Sequence, residues 1–318
     1  MKFGITSLAL MAAFLFSPLS LADRGPAIKD YPAKQVADNV YVIHGPLGTP
    51  NPENQGFMNN PAFVITNDGI AVIDPGSSVQ TGEMLLRVIA KISKKPVIAV
   101  FNTHIHGDHW LGNQAIRTAY PDVPIYGHPN MIALIEAGEG RNWVNLMERL
   151  TKGKTMGTGV TGPNKAANNG DVFKYGGITF KVHHYGKAHT TSDIMIEVPE
   201  YAVTFLGDNV LNKRVPRLDD GDILGNIEAI TRIMETGSKT YVPGHGPSGD
   251  ARVPQAFQRY LEILYTTVKK YYGEGLSDFE MKDQVASALN AYAGWSGFDE
   301  QLGKHISLAY LQIEAADF

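Results

Sequence analysis

Apolar and polar positions alternate along this chain in two rhythms. Val40 to His44, Ala62 to Thr66 and Ile70 to Asp74 are short β-branched runs between turn residues, and they predict strands. Asn67-Asp68-Gly69 is a tight hairpin signal between the second and third. Gly45 to Asn60, dense in Pro, Asn and Gly, predicts a long loop between the first two, of the kind that is usually functional or mobile. Met84, Leu85, Val88, Ile89 and Ile92 then recur at helical spacing, with Pro96 beyond the helix end.

The apolar run Val97 to Phe101 predicts a further strand, followed by a short helix over Leu111 to Ala119 and a strand over Val123 to Tyr126. Pro129 to Leu150 reads as helical with interruptions at Gly138 and Gly140. Thr151 to Gly170 has little that could pack and is expected as a surface insertion or a flexible lid. Strands resume at Ile178 to His184, Asp193 to Val198 and Ala202 to Leu206. A helix is marked by Ile227, Ile230, Ile233 and Met234, and Thr240 to Val242 predicts a last strand. From Pro254 onward the pattern is helical, with the stripe Phe257, Leu261, Leu264 and Val268, a Ser277/Glu280 capping pair before a second helix, and a third over Ile306 to Ile313. Strands alternating with helices argue for an α/β protein with a C-terminal helical extension.

Composition narrows this picture. The 318 residues are 43% apolar and 19% charged, enough for a sizeable core, and a net charge of −4 without a basic block gives no footprint for nucleic acid. Cysteine is absent, which removes disulfides, thiolate ligands and a cysteine nucleophile. Lys2, the apolar run Ile5 to Phe16, Pro18 and the small residues Ser20-Leu21-Ala22 read as a secretory signal cleaved after Ala22, and the run is short for a membrane span. The expected organisation is a signal peptide over 1–22, a catalytic domain over 23–250 and a helical extension over 251–318 packed on it. Export without cysteine suits a bacterial periplasm or secretion, with no membrane association after cleavage and a small molecule as partner.

The candidate chemistry sits at the end of the Val97 to Phe101 run. In His104-Ile105-His106-Gly107-Asp108-His109, four potential ligands fall within six residues, and imidazole with carboxylate favours zinc or another borderline divalent ion. His189 lies in a polar loop between two predicted strands, Asp208 follows a strand after Gly207, and His245 lies in Pro243-Gly244-His245-Gly246-Pro247. Each is a ligand candidate at a strand end or tight turn, as open α/β sites prefer. His183 and His184 fall inside an extended run, and His44, His128 and His305 have no motif around them, so these five read as structural. Asp193 is expected to orient a ligand histidine by accepting its other N–H.

H-x-H-x-D-H, a G-x-x-H-T turn, a strand ending in Gly-Asp and P-G-H-G, in that order from about Val40 to His245, resemble the metallo-β-lactamase superfamily. The Asp74-Pro75-Gly76 turn also matches that family's early strand-turn motif. The resemblance implies an αββα sandwich of two mixed sheets flanked by helices. It implies one metal on His104, His106 and His189, a second on Asp108, His109 and His245, and Asp208 bridging them. Zinc is the expected metal, with iron or manganese left open. The implied reaction is hydrolysis by a hydroxide bridging two ions, Asp108 holding and orienting it, at an ester, thioester, lactone, lactam or phosphoester bond.

Departures within the family matter. Lactamases with a thiolate in the second site need a cysteine where Asp208 stands, and the cysteine-free lactamases lack a bridging aspartate there. The full set resembles the glyoxalase II, lactonase and phosphodiesterase branches, although export speaks against glyoxalase II itself. A β-lactamase, an iron-dependent persulfide dioxygenase of the same fold and a low-turnover binding protein stay open. For substrate contact, Asn60 and the other amides of the Gly45 to Asn60 loop, Phe57, Met58, Asn209, Lys213, Arg214 and Arg217 are the candidates, while Trp143 and Met147 read as packing residues.

Overall fold

The computed structural model describes residues 24–317, and the predicted signal peptide lies outside the described residues. Among the described residues, twelve strands form two sheets. The first holds β1 (Lys34–Ala37), β2 (Val40–Val42), β3 (Ala62–Ile65), β4 (Ile70–Ile73), β5 (Val97–Phe101), β6 (Ile125–Gly127) and β7 (Lys165–Ala166), side by side in chain order. Pairing is antiparallel up to β4 and parallel from β4 to β7. The second sheet runs β12 (Thr240–His245), β11 (Val203–Leu211), β10 (Met195–Val198), β9 (Ile178–His183), β8 (Val172–Tyr175), with only β11 and β12 parallel.

The two-residue strand period builds the layers. β4 sends Ala71 and Ile73 between the sheets, and Ile70 and Val72 outward onto α1 (Val79–Ile92). Phe101 of β5 stacks on Phe180 of β9 across the inner core, ring centroids 5.3 Å apart. In β5 one extra residue, Ile98, interrupts the register with β4, which is how Val97 and Val100 both face outward. α1 and α3 (Asn113–Ala119) cover the first sheet. α6 (Ile223–Met234), α7 (Arg252–Gly273), α8 (Lys282–Ala288) and α9 (Phe298–Ala316) gather over the second, where Leu206, Val210 and Tyr241 meet Ile230, Phe257, Leu261 and Ile306. The result is the expected αββα sandwich, with the C-terminal helices packed on β11 and β12.

The differences from expectation are local. β1, β7 and β8 depart from the sequence reading: KQVA and VFKY are edge strands with several exposed positions, and β7 is a two-residue strand inside the segment expected as an insertion or lid. β11 runs on past Leu206 to Leu211, buried throughout, with two register breaks against β12 that bend it around Asp208. Ser277 and Glu280 do bond each other, but they close a turn and α8 starts only at Lys282. The segment 151–170 is strapped over the first helices. Gln80 donates to Met156 O at 2.8 Å, Gln114 Oε1 accepts from Gly159 N at 2.7 Å, and Asn113 donates to Thr161 O at 3.0 Å.

Candidate metal centre

The strand β5 ends at Phe101 and delivers His104 and His106 into a loop, where His106 becomes the N-cap of the single turn α2 (Gly107–Trp110). Asp108 and His109 therefore ride on a helix, a feature the loop-like spelling of the cluster concealed. His189 comes from the loop between β9 and β10, Asp208 from the bend of β11, and His245 from the last residue of β12. These seven residues form two buried groups. His104, His106, His189 and Asp208 bring ligand atoms within 4.8 Å of one another, and so do Asp108, His109 and His245.

Asp208 lies between the groups. Its carboxylate oxygens are 3.1 Å from His109 Nε2, 3.3 Å from His245 Nε2 and 3.7 Å from His189 Nε2. Asp108 Oδ2 is 3.2 Å from His245 Nε2 and 3.5 Å from His109 Nε2. Glycine makes this approach attainable. A Cβ on Gly244 would stand 1.9 Å from Asp208 Oδ1, and one on Gly207 (φ +53°) would run into Thr103 at 2.8 Å.

Outer partners fix several of the rings. Asp74, held at φ +49°, accepts from His109 Nδ1 at 2.8 Å and from the Thr103 hydroxyl at 2.7 Å. With its proton given to Asp74, that hydroxyl accepts from His104 Nδ1 at 2.9 Å. One carboxylate thus sets the tautomers of two rings and turns both Nε2 atoms inward. His104 Nε2 is buried with no hydrogen-bond partner among the described residues, as is Asp208 Oδ1. His106 is the other way round, Nδ1 facing His189 Nε2 at 3.0 Å and Nε2 facing Asp220 Oδ2 at 3.1 Å. Inward nitrogens and carboxylates packed this closely, some without any partner, fit divalent cations of the zinc type.

The charges tell the same story. Burial alone would lower the pKa of His109, but Asp208, Asp108 and Asp74 overcome it and raise it well above 6.5. Burial would raise Asp108 and Asp208, and the neighbouring imidazoles hold both below the usual carboxylate range instead. Burial and the imidazoles beside them push His104 well below 6.5 and His189 down to about 3. The centre combines carboxylates held in their charged form with buried imidazoles, of which His104 and His189 resist protonation.

Not every expected role holds. The side chain of Asp193 reaches no ring nitrogen, although the residue's backbone carbonyl accepts from His184 Nδ1 at 2.7 Å. Its carboxylate takes the Thr190 N–H at 2.7 Å and hydroxyl at 2.6 Å, so it shapes the His189 loop through the backbone. Asn60 is spent on Pro243 O and Gly246 O, at 2.8 and 2.7 Å, and ties the long loop to the His245 turn. Asn209 is buried and accepts from His189 N. Lys213 is exposed and lines neither cavity at the centre. Phe57 is buried against Tyr31. Asn54 bonds within its own loop, Asn59 donates to Asp74 O and Gln55 to Pro26 O.

Above the metal groups opens a cavity of about 520 Å³ whose floor includes His106, Asp108, His189, Asp208 and His245. Its walls come from the long loop (Pro50, Met58), from the helix α5 (Glu139–Leu150) and from the segment after β11. Trp143 and Met147, expected to be packing residues, do pack in a small core with Ile105, Trp110 and Leu111, and they are also part of the α5 wall. Arg214 and Arg217 are the cationic side chains of the lining. Arg214 Nη1 stands 2.7 Å from His245 Nδ1, which also lies 2.8 Å from Met58 O. That nitrogen can donate to Met58 or accept from Arg214, not both. Holding a cation through Nε2 selects the Met58 bond.

The remaining histidines are structural in this fold. His183 pairs with Glu197 at 2.9 Å, His184 stacks on His128, His44 meets Ser248 at 2.8 Å, and His305 bridges Tyr260 and Pro216.

A two-sheet sandwich carrying paired His/Asp groups at one edge defines a class of metal-binding α/β proteins. The profile of the metallo-beta-lactamase superfamily matches residues 55–245, more than half of the chain, and the chain belongs to that superfamily. A hydroxyacylglutathione hydrolase from Crocosphaera subtropica is 25% identical over 181 residues, 55% of this chain and 58% of that one. The chain therefore matches a little over half the length of that curated relative. A metallo-beta-lactamase from Pontibacter korlensis superposes with a TM-score of 0.57 at 22% identity, over 72% of this chain and 98% of its own. A stereoselective inverting sec-alkylsulfatase from Pseudomonas sp. superposes with a TM-score of 0.67 at 15% identity, over 89% of this chain and 50% of its own. These two structures share the fold.

Proposed function

We propose that this chain is an exported metal-dependent hydrolase that cleaves an ester, thioester, lactone, lactam or phosphoester bond of a small molecule. The observation that carries the reading is Asp208, placed between two buried ligand groups, with Oδ1 3.1 Å from His109 Nε2 and Oδ2 within 3.3 Å of His245 Nε2 and 3.7 Å of His189 Nε2. Membership of a superfamily whose members are typically metal-dependent hydrolases supports it. One cation would be held by His104, His106, His189 and Asp208, the other by Asp108, His109, His245 and Asp208, with zinc first among the candidates. Such a pair supplies, when bound, an acidified water and polarisation of the scissile bond.

The rest falls to the chain's own residues. Asp74 and Thr103 keep the protons of His104 and His109 on the outer nitrogens. Asp108, held in its charged form, faces the cavity as the acceptor for the proton of the attacking water and its donor to the leaving group. Met58, Trp143, Met147 and Leu211 exclude bulk water, and Arg214 offers a guanidinium to a negatively charged substrate group.

The test is metal analysis of the purified full chain with an ester, thioester, lactone, lactam, phosphodiester and sulfate panel, run zinc-loaded and chelated. Turnover of at least one class that is lost on chelation and restored by zinc is expected. Full activity without metal would overturn the reading. So would stoichiometric iron with oxygen uptake on a persulfide.

A further inference from the structure

A second cavity of about 410 Å³ adjoins the metal cavity on the far side of His106. Four residues, His106, Trp143, Leu146 and Arg217, line both. The partition is Trp143. Its ring lies 5.0 Å from that of His106, and its Cβ would be only 2.8 Å from a Cβ on Gly107, so only glycine there lets the indole sit so close.

The far walls belong to a helical hairpin, α4 (Pro129–Glu136) and α5. This hairpin packs largely around a small core of its own. Met131, Val144 and Met147 form a small satellite core with Ile105, Trp110 and Leu111, so it is anchored on the metal-binding loop itself. At the edge of that core Leu134 and Trp143, packed against it and only partly buried, line the side cavity with Leu146 and Ile105. Trp143 and Leu146 make the apolar part of the shared wall, while the polar groups of the lining, Glu139, Asn142, Thr191, Arg217 and Asp220, are partly or largely exposed, Thr190 is buried, and Asp220 is tied to His106 Nε2 at 3.1 Å.

We infer that the side cavity is a second substrate subsite, which takes an apolar, non-reacting arm of the molecule cleaved at the metal cavity. The inference rests on the hydrolase reading for the word substrate, and on the continuity of the two cavities for the site. A bond held over Asp208 has the metal cavity for its reacting half. An arm leaving past His106 passes along the Trp143 indole and Leu146, and ends against Leu134 and Ile105. The substrate class is a small molecule with an alkyl or aryl arm of several carbons on one side of the scissile bond. Burying such an arm gives roughly 0.8 kcal/mol per methylene, about a fourfold gain in affinity for each.

Straight-chain carboxylates from acetate to dodecanoate test this by calorimetry on the zinc-loaded full chain, since binding needs no turnover. Affinity should climb by up to about fourfold per methylene through the middle of the series, and then level off. In Asn142→Trp, which plugs the side cavity from α5, the climb should stop at a shorter chain. Leu134→Trp plugs it from α4 and replaces that variant if it does not fold. A flat series in the wild type overturns the inference. A climb unchanged in a folded plug variant does so too, because the arm then lies elsewhere. A climbing series without hydrolysis of any substrate would sink the hydrolase reading and keep the subsite. Hydrolysis of short esters with a flat series would do the reverse.

Discussion

The carboxylate of Asp74 receives the Nδ1 proton of His109 at 2.8 Å, from a backbone held in the left-handed region at φ +49°. Few non-glycine residues sit there without cause. Here the conformation aims both carboxylate oxygens at the start of the histidine cluster. Thr103 N donates to Oδ1 at 2.8 Å, and the Thr103 hydroxyl and His109 share Oδ2. Asparagine tolerates the same backbone, so Asp74→Asn removes charge and acceptor capacity while keeping the turn. We expect a 10–100-fold loss of metal affinity, measured by competition against a chromogenic chelator. Unchanged affinity would mean that the rings are oriented by packing alone.

Asp220 makes the corresponding contact to His106, but its side chain is 63% exposed. Water can replace it as a partner of Nε2. Asp220→Asn should therefore weaken metal binding by about tenfold or less, the lower end for an outer partner. Equal losses for the Asp74 and Asp220 variants in the same competition would contradict this ranking.

Gly244→Ala places a methyl 1.9 Å from Asp208 Oδ1, and the neighbour is the ligand itself. The expected result is a folded protein, by circular dichroism, that binds fewer than two metal ions in elemental analysis. A variant with two tightly held ions would show that Asp208 can bind from another position.

His305 gives a pH dependence unconnected with metal. It is fully buried, accepting from the Tyr260 hydroxyl at 2.8 Å and donating to Pro216 O at 2.9 Å. Burial pushes its pKa down from 6.5 to about 4. The unfolded chain binds the proton first, so stability is full above about pH 6.5 and is lost as pH falls toward about 4. The slope is about 1.4 kcal/mol per pH unit inside that window. His305→Phe should show a shallower loss in urea melts compared between pH 7 and 5. His44 and His128, also lowered to about 4, leave a residual slope. Parallel slopes in the two proteins would refute the assignment.

The seven inward residues were legible because each belongs to a short motif at a strand end. Their orienting partners were not. Asp74 meets Thr103 across 29 positions and Asp220 meets His106 across 114, and only the folded chain brings them together. Asp193 misled because proximity to His189 in sequence resembled contact, while Thr190 is nearer and takes both oxygens. The amides of the long loop misled in a related way. Asn and Gly suit a substrate-facing loop, but they also suit one that needs many backbone anchors, and this loop spends its amides on itself, on the carbonyls of Asp74 and Pro26 and on the His245 turn. Trp143 was hidden because helical spacing shows which face is apolar, not whether that face meets a core or a cavity.

The ligand groups draw on both sheets. His104, His106, Asp108 and His109 follow β5 of the first, while Asp208 and His245 belong to β11 and β12 of the second. A cation bound there is a rivet through the edge of the sandwich, since it fixes how far one sheet can slide over the other. Sliding by a fraction of the 3.1 Å between Asp208 and His109 would open the centre. With a cation held there, the exchange of inner-core amides in deuterium would be coupled to metal occupancy at a distance, and the sandwich and its centre would loosen together.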